Sequence, residues 1–130
     1  MKIHHIGYLV KNIDVALREF LDLGYQLEQE IVDDNLRKIR IAFVIKNNYR
    51  VELVSPMVKS SAVGDLLKKI GNSPYHICYE VVDLDDKIKE LEAVGYMLTI
   101  KPQNAPAIKG RRVAFLYNMN IGIIELLEVF

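Results

Sequence analysis

Two histidines and two glutamates recur at matched places in this chain. His5 opens the stretch HIGYLVKNIDVALREFLDLGYQL (residues 5–27), and His76 opens HICYEVVDLDDKIKELEAVGYML (76–98). The two stretches align without a gap at an offset of 71, with nine of 23 positions identical. A second pair follows: RIAFVIKNNYRVELV (40–54) matches RVAFLYNMNIGIIELL (112–127) with one extra residue in the turn, which sets Glu52 opposite Glu125. Each Glu sits between apolar neighbours, Val51 and Leu53 or Ile124 and Leu126. A carboxylate embedded in an apolar strand either faces solvent or has a partner. Two imidazoles and two carboxylates converging on one point would make an N₂O₂ site for a divalent ion. Taken singly, His5 and Glu52 read as ordinary strand residues. The doubled pattern favours the site, although shared ancestry alone could also have left them in register.

The elements that must position these residues follow from the same repeat. His5–Val10 alternates like a strand, with Ile6, Tyr8 and Val10 on one face and His5, Gly7 and Leu9 on the other. Asn12 caps a helix whose apolar face is Ile13, Leu17, Phe20 and Leu21, and Gly24 ends it. Tyr25–Ile31 reads as a strand, and Arg40–Ile45 and Tyr49–Val54 read as a hairpin across Asn47 and Asn48. In the second copy Asp83 is the cap, Ile88 and Leu91 mark the buried face, and Gly95 ends the helix. The fold class is therefore α+β: two β-α-β-β-β modules forming a curved mixed sheet around a central trough. Module 1 spans 1–55, a linker with a short helix (Ser61–Ile70) spans 56–74, and module 2 spans 75–130. Lys101–Arg111, with Pro102, Pro106 and Gly110, reads as a loop over a site. His4 is expected to point to the face opposite His5 and to be structural.

Composition bounds the rest. Of 130 residues, 17 are basic and 17 acidic, so the net charge is zero, which argues against a nucleic-acid partner. The 51% hydrophobic content excludes wholesale disorder. No apolar run nears the roughly 20 residues of a membrane span. The N-terminus lacks a secretory h-region and Cys78 is the single cysteine, so a cytoplasmic location is expected.

With the opening HHIGYLV, the VELVSP strand, PYHICYEV and the closing IGIIELLE, the chain resembles the vicinal oxygen chelate superfamily over essentially its full length. That resemblance implies metal ligands on the first and last strands of each unit: His5, Glu52, His76 and Glu125. Two subfamilies are similar. Bacterial glyoxalase I (lactoylglutathione lyase) uses two His and two Glu, as here. SSAVGDLLKKIG, PYHICYEV and KGRRVAFL look more like methylmalonyl-CoA epimerase, yet no Glu stands where that enzyme carries a second base, the nearest stretch being Asp33-Asp34-Asn35-Leu36-Arg37. The first reading is a glyoxalase I-like isomerase acting on a 2-oxoaldehyde–thiol hemithioacetal through a metal-bound enediolate. The alternative is an epimerase-like racemase.

Both reactions remove a proton next to a carbonyl, with one Ni²⁺, Co²⁺, Zn²⁺ or Mn²⁺ as Lewis acid and Glu125, then Glu52, as candidate base. The substrate would be a small anionic thiol adduct or thioester. Arg37, Arg50, Lys109, Arg111 and Arg112 are candidates for its charges, and Cys78 for the pocket lining. A non-enzymatic small-molecule binder and an Fe(II) extradiol dioxygenase are rival classes, against which the two-His, two-Glu set counts. A homodimer is expected.

Overall fold

The computed structural model describes residues 1–130. The chain folds as two compact units, one of residues 6–75 and one of residues 1–5 with 76–130. The first strand, β1 (Lys2–Leu9), passes through both, so its first residues, assigned to module 1 from sequence, group with the second half. All eight strands take part in mixed-sheet pairing, as the α+β reading expected. No helix is long and apolar enough to cross a membrane.

In the 6–75 unit, β1 leads to α1 (Ile13–Asp22), β2 (Gln26–Asp34), β3 (Ile39–Lys46), β4 (Tyr49–Pro56) and α2 (Ala62–Ile70). The strand order is β2-β3-β4-β1, antiparallel except for the parallel β4–β1 pair. Asn12 accepts a hydrogen bond from the Val15 N–H through its side chain, which supplies one of the acceptors a helix start lacks. The β3–β4 turn places Asn47 and Asn48 at φ 51° and 70°, the left-handed pair that a two-residue hairpin needs. Val10, Ile13, Ala42, Val44, Val51 and Leu53 form the core under α1.

The other unit repeats this grammar. β5 (Ser73–Val81), α3 (Leu84–Ala93), β6 (Met97–Ala105), β7 (Arg111–Asn118) and β8 (Gly122–Glu128) follow in sequence. The order β5-β8-β7-β6 again has one parallel pair, β5 with β8. Val81, Leu84, Ile88, Ala114, Leu116, Ile124 and Leu126 pack beneath α3. Each fully buried Leu in such a core stabilises by about 1.5–3 kcal/mol relative to exposure. Leu53 and Leu126 point to the helix. By alternation their neighbours Glu52 and Glu125 point to the other face of their sheets.

Residues 101–111 are not the loop expected from sequence. Residues 101–105 continue β6, a short 3₁₀ turn covers Pro106–Ile108, and Arg111 opens β7. β6 is the last strand of its order, and its register shifts between Ile100 and Gln103. An edge position with a bulge accepts Pro102, which has no N–H to donate.

A charge clasp ties β7 and β8 to the start of α3. The Arg112 guanidinium donates to both Glu128 carboxylate oxygens at 3.0 Å and to Asp85 at 3.1 Å. Glu128 also accepts from the Leu84 N–H at 3.1 Å. Arg112 first, and that N–H second, hold the Glu128 carboxyl below its ordinary range. A carboxyl depressed in the fold stabilises fully above the ordinary carboxylate range, and that contribution is lost as pH falls toward the folded value. Glu128→Gln is therefore expected to lower the melting midpoint more at pH 7 than at pH 3. Equal shifts at the two pH values would remove the clasp's role.

Candidate metal centre

Strand register sets the geometry. In the parallel β5–β8 pair, Cys78 lies opposite Glu125. His76 precedes Cys78 by two and so shares its face, which points His76 and Glu125 the same way. The opening of β1 brings in His5. The Glu125 carboxylate oxygen Oε1 lies 2.9 Å from His5 Nε2 and 3.0 Å from His76 Nε2. The two Nε2 atoms are 3.2 Å apart. His5 and Glu125 are 1% exposed, and His76 is 4% exposed. The Phe115 ring stands edge-on to His76 at 5.3 Å and forms an apolar wall.

The 6–75 unit carries the same relation. In the parallel β1–β4 pair, Glu52 lies opposite Gly7, two residues beyond His5 on the continuous strand β1. Glu52 is 4% exposed. The order His, residue two further on, Glu across the parallel pair is thus written twice.

The donors fit a divalent cation. Zinc bonds to imidazole N and carboxylate O are about 2.0–2.2 Å, so two ligands at right angles stand about 3.0 Å apart. The distances of 2.9, 3.0 and 3.2 Å among the three donor atoms match that spacing. Burial of a carboxylate beside two imidazoles is costly without positive charge at their meeting point.

Of the other candidates, only Cys78 lies beside this cluster. Cys78 is fully buried on the His76 face. Arg37 binds buried Asp34 at 2.7 Å, and Arg50 binds Glu28 at 2.6 Å. Arg111 donates to the Glu128 carbonyl at 3.0 Å and lies over the Phe130 ring, while Arg112 holds the clasp. These four guanidiniums have intrachain partners. Lys109 is exposed at the end of the 3₁₀ turn with φ 56°. His4, read as structural, meets His5 through its ring: its Nδ1 lies 2.8 Å from His5 Nδ1. No signal in the sequence pointed to that contact.

The profile of the Glyoxalase/Bleomycin resistance protein/Dioxygenase superfamily matches residues 4–115, and the chain belongs to that superfamily. Among its relatives is the mitochondrial methylmalonyl-CoA epimerase of Dictyostelium discoideum, 27% identical over 98% of this chain and 78% of that protein. Among solved structures, the methylmalonyl-CoA epimerase of Mycobacterium tuberculosis superposes with a TM-score of 0.84 at 26% identity, over 98% of this chain and 87% of that one. A hypothetical protein from Bacillus halodurans C-125 superposes with a TM-score of 0.87, also at 26% identity, over 99% of this chain and 94% of that one. The relatives with a named activity here are epimerases, which fits the alternative reading better than glyoxalase I.

Proposed function

We propose that this chain is a metal-dependent epimerase-type enzyme that moves a proton on the carbon next to the carbonyl of a small acyl-CoA thioester. The buried convergence of His5, His76 and Glu125 at 2.9–3.2 Å carries the metal-dependent part of the reading, and the epimerases among the relatives support the substrate class. His5, His76 and Glu125 would hold the ion, and Glu52 would be the fourth ligand. Its burial and its register beside β1 support that assignment. When bound, a divalent ion such as Co²⁺, Ni²⁺, Zn²⁺ or Mn²⁺ supplies Lewis-acid polarisation of the substrate carbonyl oxygen.

The chain's own groups do the rest. Glu125 takes the proton from the carbon and holds it at a carboxylate oxygen. His5 and His76 would keep that carboxylate in place through the ion they share with it, their Nε2 atoms lying 2.9 and 3.0 Å from its oxygen. Phe115 stands edge-on to His76 and lowers the polarity on that side of the carboxylate. Inversion needs delivery on the face opposite to removal, and Glu52, the repeat mate of Glu125, is the candidate second base. A cytoplasmic homodimer is part of this reading.

One observation favours a second reading, the hemithioacetal isomerase. Asp33 and Asp34 are paired with Arg40 at 3.2 Å and Arg37 at 2.7 Å. The stretch where a two-base epimerase would carry its extra acid therefore has its carboxylates committed. The deciding experiment runs metal-loaded protein in D₂O with one epimer of methylmalonyl-CoA and, in parallel, with a methylglyoxal–thiol adduct. Deuterium entering the acyl α-carbon, with formation of the other epimer, is the expected result. Turnover of the adduct alone would shift the function to the second reading, and turnover of neither would overturn both.

A further inference from the structure

We propose that His4 is a positioning residue for the metal ligand His5, an inference that rests on the metal-dependent reading above. The contact is specific. His4 Nδ1 and His5 Nδ1 are 2.8 Å apart, and the two rings meet edge to face with centroids 5.1 Å apart and planes at 78°. A 2.8 Å separation between two ring nitrogens is a hydrogen bond: one N–H donates and the other nitrogen accepts. The contact uses His5 Nδ1, on the side of the ring away from Nε2, the atom that faces His76 and Glu125. The group His4, His5 and Cys78, which also lies at ligand-like spacing, is therefore better described as support for a ligand than as a second metal site.

The bond has a chemical consequence at the other side of the His5 ring. A neutral imidazole carries one N–H. When His5 Nδ1–H donates to His4 Nδ1, His5 Nε2 carries the lone pair, and Nε2 is the atom facing Glu125 and His76. In that direction the bond holds His5 in the tautomer that can bind an ion and fixes the ring's orientation. Outer partners of this kind typically change metal affinity by about 10–100-fold. His4 is half-buried, so it can accept this bond at the edge of the buried cluster without itself being a ligand.

The test is a titration of metal-free protein with Co²⁺, followed by the visible absorption of the bound ion, for wild type, His4→Leu and His4→Asn. Melting of the metal-free proteins reports the fold. His4→Leu removes the acceptor, and its Co²⁺ affinity is expected to fall about 10–100-fold. His4→Asn presents a carbonyl oxygen near the place of Nδ1 and is expected to recover most of that loss. A His4→Leu protein with wild-type affinity, or a His4→Asn protein as weak as His4→Leu, would overturn the positioning role while leaving the metal centre standing. A wild type that takes up no Co²⁺ would overturn the metal reading itself.

Discussion

Glu125→Gln is expected to reduce turnover about a thousandfold while leaving the fold intact. The glutamine has the same shape and keeps an oxygen where Glu125 Oε1 now meets the two imidazoles at 2.9 and 3.0 Å. β8 remains paired with β5 and β7, and the neighbouring core residues Ile124 and Leu126 still pack under α3. What disappears is the ability to take a proton. A positioned general base contributes about 10²–10⁴-fold, so the loss belongs in kcat at saturating metal and substrate. Deuterium exchange at the substrate carbon isolates this step from product release. Wild-type exchange in Glu125→Gln protein would exclude Glu125 as the base. If Glu52 were the principal base, Glu52→Gln would show the larger loss.

The second large effect is expected from removing the ion. Chelation should bring activity to background, and Ni²⁺, Co²⁺, Zn²⁺ or Mn²⁺ should restore it. His76→Ala tests the same point within the chain. His76 is buried on β5, and its Nε2 is within 3.2 Å of both His5 Nε2 and Glu125 Oε1. Losing a ligand should weaken metal binding by more than the roughly 100-fold upper range for an outer partner. Activity at fixed, low metal should fall in parallel. Undiminished turnover after exhaustive chelation would mean that the cluster serves another purpose.

Much of this arrangement was legible because it is written twice. The offset between His5 and His76, the caps Asn12 and Asp83, and the helix-ending Gly24 and Gly95 with φ 96° and 103° are local signals. Glu52 and Glu125 stood out as charges inside apolar strands, and both prove buried.

The parts that local pattern did not reveal depend on distant partners. β6 continues through Pro102 because it is an edge strand with a bulge, and nothing in residues 101–105 announces an edge. Arg37, Arg50, Arg111 and Arg112 looked available for substrate until the fold paired them with Asp34, Glu28, the Glu128 carbonyl and the Glu128 carboxylate. The His4–His5 contact depends on side-chain rotation, which alternation along a strand does not specify. Choosing between thioester and hemithioacetal was not possible from the four candidate ligands, because both reactions ask the same proton transfer of them.

The most direct measurement is the number of divalent ions bound per chain at equilibrium, in wild type and in a His5→Ala, His76→Ala double variant. One tightly held ion in wild type and none in the variant is the expected result. Full metal occupancy in the variant, or none in an active wild type, would show that these imidazoles do not form the catalytic centre.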